Sequence, residues 1–291
     1  MAQQLSVPGV RARKGGTPIV MVTAYDFPGA RIADDAGVDV ILVGDSLAMV
    51  VLGYDDTLQV TVDDMAHHVA AVGRARPRAL VVADLPWLSF HLDPADTVRN
   101  AATLVRAGAQ AVKLEGGRRR LPMVDALVHA EIPVMGHLGL TPQSVHAMGG
   151  YRVQSQQLDA AEALVDEAGV LAEAGCFAIV LEAVPAEVAR LVTASVPVPT
   201  IGIGAGPHCD GQVLVFHDLL GLEDRIAPRF VRRYASLKAD GVEAVSAFAA
   251  DVRDGRFPSD AESYRLSDDV ARALDSAADP SGVGVRADRT A

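Results

Sequence analysis

Cysteine is scarce in this chain of 291 residues: Cys176 and Cys209 are the only two. They lie far apart and form no C-x-x-C pair, so no disulfide framework is expected, and both read as reduced thiols of a cytosolic protein. Lysine is almost as rare, occurring only at Lys14, Lys113 and Lys238, while arginine supplies the other basic residues. A guanidinium cannot replace a compact ammonium in a tight site, so each of these lysines is a position of interest. No run of about 18 uncharged apolar residues occurs, and no transmembrane helix is expected. The opening stretch MAQQLSVPGVRARKGG lacks an apolar core before a cleavage site, so no secretory signal is expected either. There is no extended block of Lys or Arg, and 37 acidic residues against 26 basic ones give a net charge of −11. Neither nucleic acid nor an anionic membrane is therefore expected as a main partner. Zinc spacings such as H-E-x-x-H, a G-x-S-x-G elbow and a P-loop are all missing. The glycine-rich GIGAGP at 202–207 fails the G-x-G-x-x-G pattern at Pro207, and reads as a tight turn after a strand.

What is present is a soluble globular balance, 50% apolar and 22% charged. Eight short apolar runs rich in β-branched residues recur at 19–25, 39–45, 79–86, 111–116, 132–139, 177–184, 199–206 and 212–218. Near-continuous apolar character marks strands buried on both faces. Helical spacing fills the intervals, with Thr61 or Asp63 as N-cap of the helix before the third run. Three helices end alike, in DDAGVDV, VRAGAQAV and AEAGCFAI, where glycine relieves a left-handed C-cap just before a strand. Eight βα units point to a (β/α)8 TIM barrel, with a doubly wound sheet as the alternative. Residues 1–258 are expected to form one barrel domain with an N-terminal extension and C-terminal helices. The amphipathic stretch 227–256 should be helical with a break near Gly241, and 259–291 a polar tail, mobile over its last two dozen residues.

In a barrel, chemistry gathers at the C-terminal ends of the strands. Those ends carry Tyr25 and Asp26, Asp45 and Ser46, Asp84, Lys113 and Glu115, His137, Glu182, and His217 and Asp218. Two carboxylates ending neighbouring strands, Asp45 and Asp84, can converge on Mg²⁺, a hard cation that prefers oxygen ligands. Each could instead cap the turn that follows. Lys113 and Glu115 are two apart on a strand and share a face, as a structural ion pair, as a substrate clamp beside a metal contact, or with Lys113 as a Schiff-base amine. Glu182 ends the apolar run FAIVLE, where burial would suit it to general-base work. His137 is a further candidate, as a hydrogen-bond partner of substrate or carboxylate. His67 and His68 read as ordinary helical residues.

Taken in order, MVTAYDFPGARIADDAGVDVILVGDSLAMVVLGYDDTLQVTVDDM, VVADLPW, AVKLEGG, PVMGHLGLTPQSV, GGYRVQ, IVLEAVPAEVA, IGIGAGPHCDGQVLV and a late FP span about residues 18–258. This series resembles the ketopantoate hydroxymethyltransferase family. The resemblance implies a barrel of the phosphoenolpyruvate/pyruvate type. It implies transfer of a hydroxymethyl group from 5,10-methylenetetrahydrofolate to α-ketoisovalerate through an enolate stabilised by one Mg²⁺ per subunit. On the matching positions it places Asp45, Asp84 and Glu115 at the metal, Asp45, Ser46, Asp84 and Lys113 at the keto acid, and Glu182 as the general base. It also implies a cytoplasmic homo-oligomer, commonly a decamer, acting on small molecules. The chain departs from the family pattern at Ser155 and Gln156, where Gly-Arg is expected, at His146 in place of Asn, and at Ala261 and Glu262 in place of Glu-His. Competing readings are a metal-dependent carbon–carbon lyase on another 2-oxo acid, a Schiff-base aldolase using Lys113, and a non-catalytic barrel.

Overall fold

A computed structural model describes residues 4–225 and 228–278. Eight strands, β1 Ile19–Thr23, β2 Val40–Val43, β3 Leu80–Asp84, β4 Ala111–Glu115, β5 Val134–Gly139, β6 Ala178–Glu182, β7 Thr200–Ile203 and β8 Gly211–Leu214, pair in sequence order. Every pairing is parallel, and β8 returns to β1, closing the barrel. The helices are α1 Val7–Arg11, α2 Phe27–Asp35, α3 Leu47–Val50, α4 Val62–Arg74, α5 Pro94–Ala107, α6 Leu121–His129, α7 Val145–Met148, α8 Leu158–Glu173, α9 Ala186–Ser195, α10 Phe216–Leu220, α11 Leu237–Arg253 and α12 Asp268–Ala278. This is the expected (β/α)8 architecture.

Local chemistry sets the helix ends. Thr61 caps α4 in a reciprocal box with Asp64, which satisfies two orphan donors at once. The glycines that follow α2, α5 and α8 (Gly37, Gly108 and Gly175) take φ of 80°, 127° and 103°, so the shared Ala-Gly phrase does terminate these helices. In the GIGAGP turn, Gly204 and Gly206 take φ of 62° and 74°, and the chain returns directly to β8 rather than opening a helix.

Alternation along the strands makes two apolar layers. Ile41, Val43, Val81, Val112, Leu114 and Leu181 face the helices. Met21, Val40, Leu42, Leu80, Val82, Ala111, Met135, Ala178 and Val180 fill the interior together with Val10 of α1. The N-terminal extension is held by Lys14, whose Nζ donates to Thr193 O and pairs with Asp210 Oδ2 at 2.9 Å. That gives one of the three lysines a structural task.

The chain divides into two compact units, Met1–Leu237 and Lys238–Ala291. In the second unit α11 runs unbroken through Gly241, contrary to the expected break. One glycine costs a helix about 1 kcal/mol relative to alanine, and strong helix formers on both sides outweigh it. The helix is also shorter than expected, because residues 228–236 are irregular. The stretch expected as a polar tail carries α12, whose first turn is acidic (Asp268, Asp269) as a helix N-terminus favours. The remainder of that tail, 279–291, lies outside the described residues.

Candidate active site

The interior alternation explains how ionisable groups reach one place. Leu80 and Val82 point inward, so Asp84 does. Ala111 points inward, so Lys113 and Glu115 do. Met135 is followed by His137, and Ala178 and Val180 by Glu182. At the C-terminal end of four consecutive strands, the inner layer therefore changes from apolar to ionisable. On β2 the same alternation reaches Gly44. A Cβ built there would lie 2.9 Å from Ser46 Oγ and 3.5 Å from Asp84 Oδ2, so the missing side chain leaves room for its neighbours.

Asp45, Asp84, Lys113, Glu115 and His137 are all buried. Lys113 Nζ lies 2.8 Å from Asp84 Oδ1 and 3.2 Å from His137 Nδ1. His137 Nδ1 is 3.5 Å from Glu115 Oε1, and its Nε2 is 3.2 Å from Glu182 Oε2. The Asp45 amide donates to Asp84 Oδ2 at 3.1 Å. Glu182 is the most accessible of the set, its side chain 17% exposed at the cavity wall.

Excess negative charge shapes the titration of this group. Burial, then the Asp84 and Glu115 carboxylates, push Asp45 well above the usual carboxylate range, against Lys113 and Gln143. Burial disfavours the Lys113 ammonium, yet Asp84, Glu115 and Asp45 outweigh it and hold the amine protonated above its ordinary value. Burial and the Lys113 charge oppose protonation of His137. Its contacts with Glu115 and Glu182 prevail and raise it to about 9. Glu115 is itself buried, but His137, Lys113 and the Gln143 amide bring it below the ordinary range.

The site opens into a cavity of about 1190 Å³ lined at its inner end by Asp45, Ser46, Asp84, Lys113, Glu115, His137 and Glu182. All the residues singled out for the site thus meet in one place. Ser46 is half-buried, and its Oγ is 2.9 Å from the hydroxyl of buried Tyr25. Three strand-end residues take other roles. Asp26 caps α2 by accepting from the Gly29 amide at 2.7 Å. His217 and Asp218 sit on α10 and not on a strand, because β8 stops at Leu214. His217 packs against Tyr25, and Asp218 lines the cavity wall. One site residue escaped the sequence reading. Gln143 is buried, its Nε2 donates to Asp45 Oδ2 at 2.8 Å and to Leu85 O at 2.9 Å, and its amide donates to Glu115 Oε2 at 3.0 Å. A polar residue directly after the Pro of the strand-end loop was the available signal. Among the described residues, no group of three or more His, Cys, Asp or Glu side chains is arranged as a ready metal-ligand cluster.

Comparison with known proteins places the chain in a family. The family model described as ketopantoate hydroxymethyltransferase matches residues 5–260. The chain belongs to the ketopantoate hydroxymethyltransferase family. It is 56% identical over 269 residues to the 3-methyl-2-oxobutanoate hydroxymethyltransferase of Moorella thermoacetica, covering 91% of this chain and all of that one. The protein of the same description from Ignicoccus hospitalis is 58% identical over 245 residues, covering 84% and 93%. Solved structures share the fold at low identity. A 2,3-dimethylmalate lyase of the PEP mutase/isocitrate lyase superfamily gives a TM-score of 0.58 at 17% identity, covering 99% of this chain and 100% of that one. A phosphonopyruvate hydrolase in complex with oxalate and Mg²⁺ gives 0.58 at 15%, covering 93% and 95%. Ser155 holds a left-handed φ of 54°, a conformation that glycine adopts freely and serine does not.

Proposed function

We propose that this protein transfers a hydroxymethyl group from 5,10-methylenetetrahydrofolate to 3-methyl-2-oxobutanoate, with water supplying the hydroxyl, to give 2-dehydropantoate and tetrahydrofolate. The reaction belongs to pantothenate and coenzyme A biosynthesis. The observation that carries this reading is Glu182: a carboxylate facing the cavity, with His137 behind it and an excess of buried negative charge opposite. That arrangement suits removal of a proton next to a carbonyl.

The donor set also fits a divalent cation. Four carboxylates (Asp45, Asp84, Glu115 and Glu182) face two cationic groups, Lys113 and His137, and the strain of the imbalance falls on Asp45. Mg²⁺ ordinarily takes only one or two protein carboxylates and fills its other positions with water and substrate, so a preformed cage is not required. Asp45 and Asp84 would hold it, with Glu115 beside them. When bound it supplies positive charge against the negative charge that develops on the keto oxygen.

The protein's own groups do the rest. Lys113, fixed by Asp84, presents a permanent positive charge to the keto acid, and Ser46, fixed by Tyr25, offers a hydroxyl to it. Glu182 accepts the C3 proton, and His137 Nε2, 3.2 Å away, orients its carboxylate. Water adds to the folate methylene carbon as its two bonds to nitrogen break, releasing tetrahydrofolate and a one-carbon unit at the level of formaldehyde; the C3 carbanion attacks that carbon, and its oxygen takes up a proton to become the hydroxyl. A Schiff-base role for Lys113 requires a neutral amine, which three surrounding carboxylates oppose.

Proton NMR of 3-methyl-2-oxobutanoate in D₂O with the protein and Mg²⁺ tests the reading. Exchange at C3 should depend on metal, stop with EDTA, and fall by about 10³-fold or more in Glu182→Gln, in line with loss of a general base. Adding methylenetetrahydrofolate should then yield 2-dehydropantoate. A folded protein that exchanges nothing, or exchanges equally well as Glu182→Gln, would overturn the assignment.

A further inference from the structure

Gln143 stands behind the site and not in it. It is buried, and it is absent from the cavity wall to which Asp45, Asp84 and Glu115 contribute. Yet this one residue reaches three of the strand ends that build the wall. Its Nε2 donates to Asp45 Oδ2 at 2.8 Å and to Leu85 O, next to Asp84, at 2.9 Å. Its backbone amide donates to Glu115 Oε2 at 3.0 Å. The neighbours settle which way the side-chain amide points: a carboxylate and a carbonyl both accept, so the nitrogen must face them. Gln143 Oε1 is then left buried, with no hydrogen-bond partner among the described residues. A buried amide with both hydrogens bonded and its oxygen unpaired is placed for its donors.

The effect of those donors is read from the carboxylate oxygens one by one. Asp84 Oδ1 is taken by Lys113 at 2.8 Å and Oδ2 by the Asp45 amide at 3.1 Å. Glu115 Oε2 is taken by the Gln143 amide, and Oε1 lies 3.5 Å from His137 Nδ1. Asp45 Oδ2 is taken by Gln143 Nε2. Asp45 Oδ1 alone among these oxygens has no hydrogen-bond or ion-pair partner among the described residues, and Asp45 lines the cavity. A carboxylate held at one oxygen cannot turn both toward one ligand without breaking that bond. Asp45 therefore offers a cation a single oxygen. That matters for which cation is taken. Mg²⁺ demands near-octahedral geometry at about 2.0–2.1 Å and keeps several waters, whereas Ca²⁺ takes about 6–8 oxygens at longer distances and accepts both oxygens of one carboxylate.

We propose that Gln143 is a positioning residue that sets the cation preference of the site: it holds Asp45 to coordination through one oxygen and so favours Mg²⁺ over Ca²⁺. The inference rests on the metal reading given under the proposed function. Its physical basis is that a hydrogen bond to the second oxygen of a ligating carboxylate fixes the orientation of the first.

The test uses the full-length protein, stripped of metal with EDTA and dialysed. Bound Mn²⁺ is read by electron paramagnetic resonance, and its displacement by MgCl₂ or CaCl₂ gives two dissociation constants without any turnover. Wild type should bind Mg²⁺ more tightly than Ca²⁺. In Gln143→Met and Gln143→Leu the side-chain donors are gone, while the backbone bond to Glu115 is kept. Mg²⁺ binding should then weaken by about 10–100-fold, the usual loss when the partner of a metal ligand is removed, and Ca²⁺ binding should hold or strengthen. The ratio of the two constants is the quantity that decides, since a poorly folded site weakens both alike. A second reading is the number of waters on bound Mn²⁺, from electron spin echo modulation in D₂O. It should fall by one in Gln143→Met, as the freed Asp45 oxygen replaces a water. A ratio unchanged in both variants, or a shifted ratio with an unchanged water count, overturns the role of Gln143. So does a wild type that prefers Ca²⁺, a result that needs no variant to fold. A wild type that binds no divalent cation overturns the metal reading itself.

Discussion

Lys113→Met is the sharpest probe of how the site is held together. Methionine keeps the length of the side chain and removes its charge. Lys113 Nζ lies 2.8 Å from Asp84 Oδ1, and both side chains are about 5% exposed or less. Removing the ammonium leaves Asp84 with the Asp45 amide at 3.1 Å as its remaining donor and with carboxylates on either side. Breaking a buried pair by deleting one partner typically costs about 3–5 kcal/mol. For a domain the size of the barrel unit this corresponds to a fall in melting temperature of about 10 °C. The companion variant Lys113→Met/Asp84→Asn removes both charges and should recover a substantial part of that loss, because the penalty belongs to the orphaned carboxylate and not to the missing lysine. Urea unfolding of wild type, both single variants and the double variant, at fixed pH and with EDTA present, completes the cycle. A Lys113→Met protein as stable as wild type, or a double variant no better than Lys113→Met, would refute the charge reasoning. All three variants should be catalytically inactive, so stability is the discriminating measurement.

Two further outcomes follow from the structure. Gly139 takes a φ of 92°, and a Cβ there would meet Glu182 O at 2.3 Å and Val184 Cγ1 at 2.7 Å, so Gly139→Ala must move the backbone that carries the base; we expect a loss of several kcal/mol by denaturant unfolding and a fall in C3 exchange, and a variant with wild-type stability would contradict the packing. Burial, and secondarily the Arg120 charge, lower His91 to about 4, and its buried Nδ1 has no hydrogen-bond partner among the described residues. The unfolded chain then binds this proton near pH 6.5 while the native state does not, so the contribution of His91 to stability is complete above that pH and is lost as pH falls toward 4; His91→Gln should flatten the acid limb of the stability–pH curve in that window, and an unchanged limb would remove His91 from the account.

The strand centres were legible because strands buried on both faces must be apolar over their whole length, and each expected run contains an observed strand or nearly all of it. Their ends were less so. The eighth run was expected to continue to residue 218, yet β8 stops at Leu214. The Phe216 amide donates to Thr23 Oγ1 at 2.9 Å, a bond across 193 residues that draws the chain out of the ladder and into α10. No local pattern announces such a bond. Gly241 and the acidic start of α12 are the opposite case. There the local signals are present: helix formers around Gly241 and an acidic first turn in α12 outweigh a single glycine and a polar composition.

For the site, residue identity and strand parity were enough to bring Asp84, Lys113, Glu115, His137 and Glu182 to one rim, since inward positions two apart continue one another. They could not supply Gln143, which lies past a strand end and reaches Asp45 across 98 residues, nor the use of Gly44 as the space beside Ser46. Nor could they decide what Lys113 does. A lysine on an inner strand face serves equally as nucleophile, clamp or ion-pair partner until its neighbours are located. The decision comes from three carboxylates around one ammonium, with Asp84 in direct contact. An amine held charged in this way is a poor nucleophile toward a ketone and a good fixed charge for a keto acid. The base proposed above is accordingly a carboxylate, Glu182, the most exposed of the four that line the cavity, with His137 Nε2 3.2 Å from it.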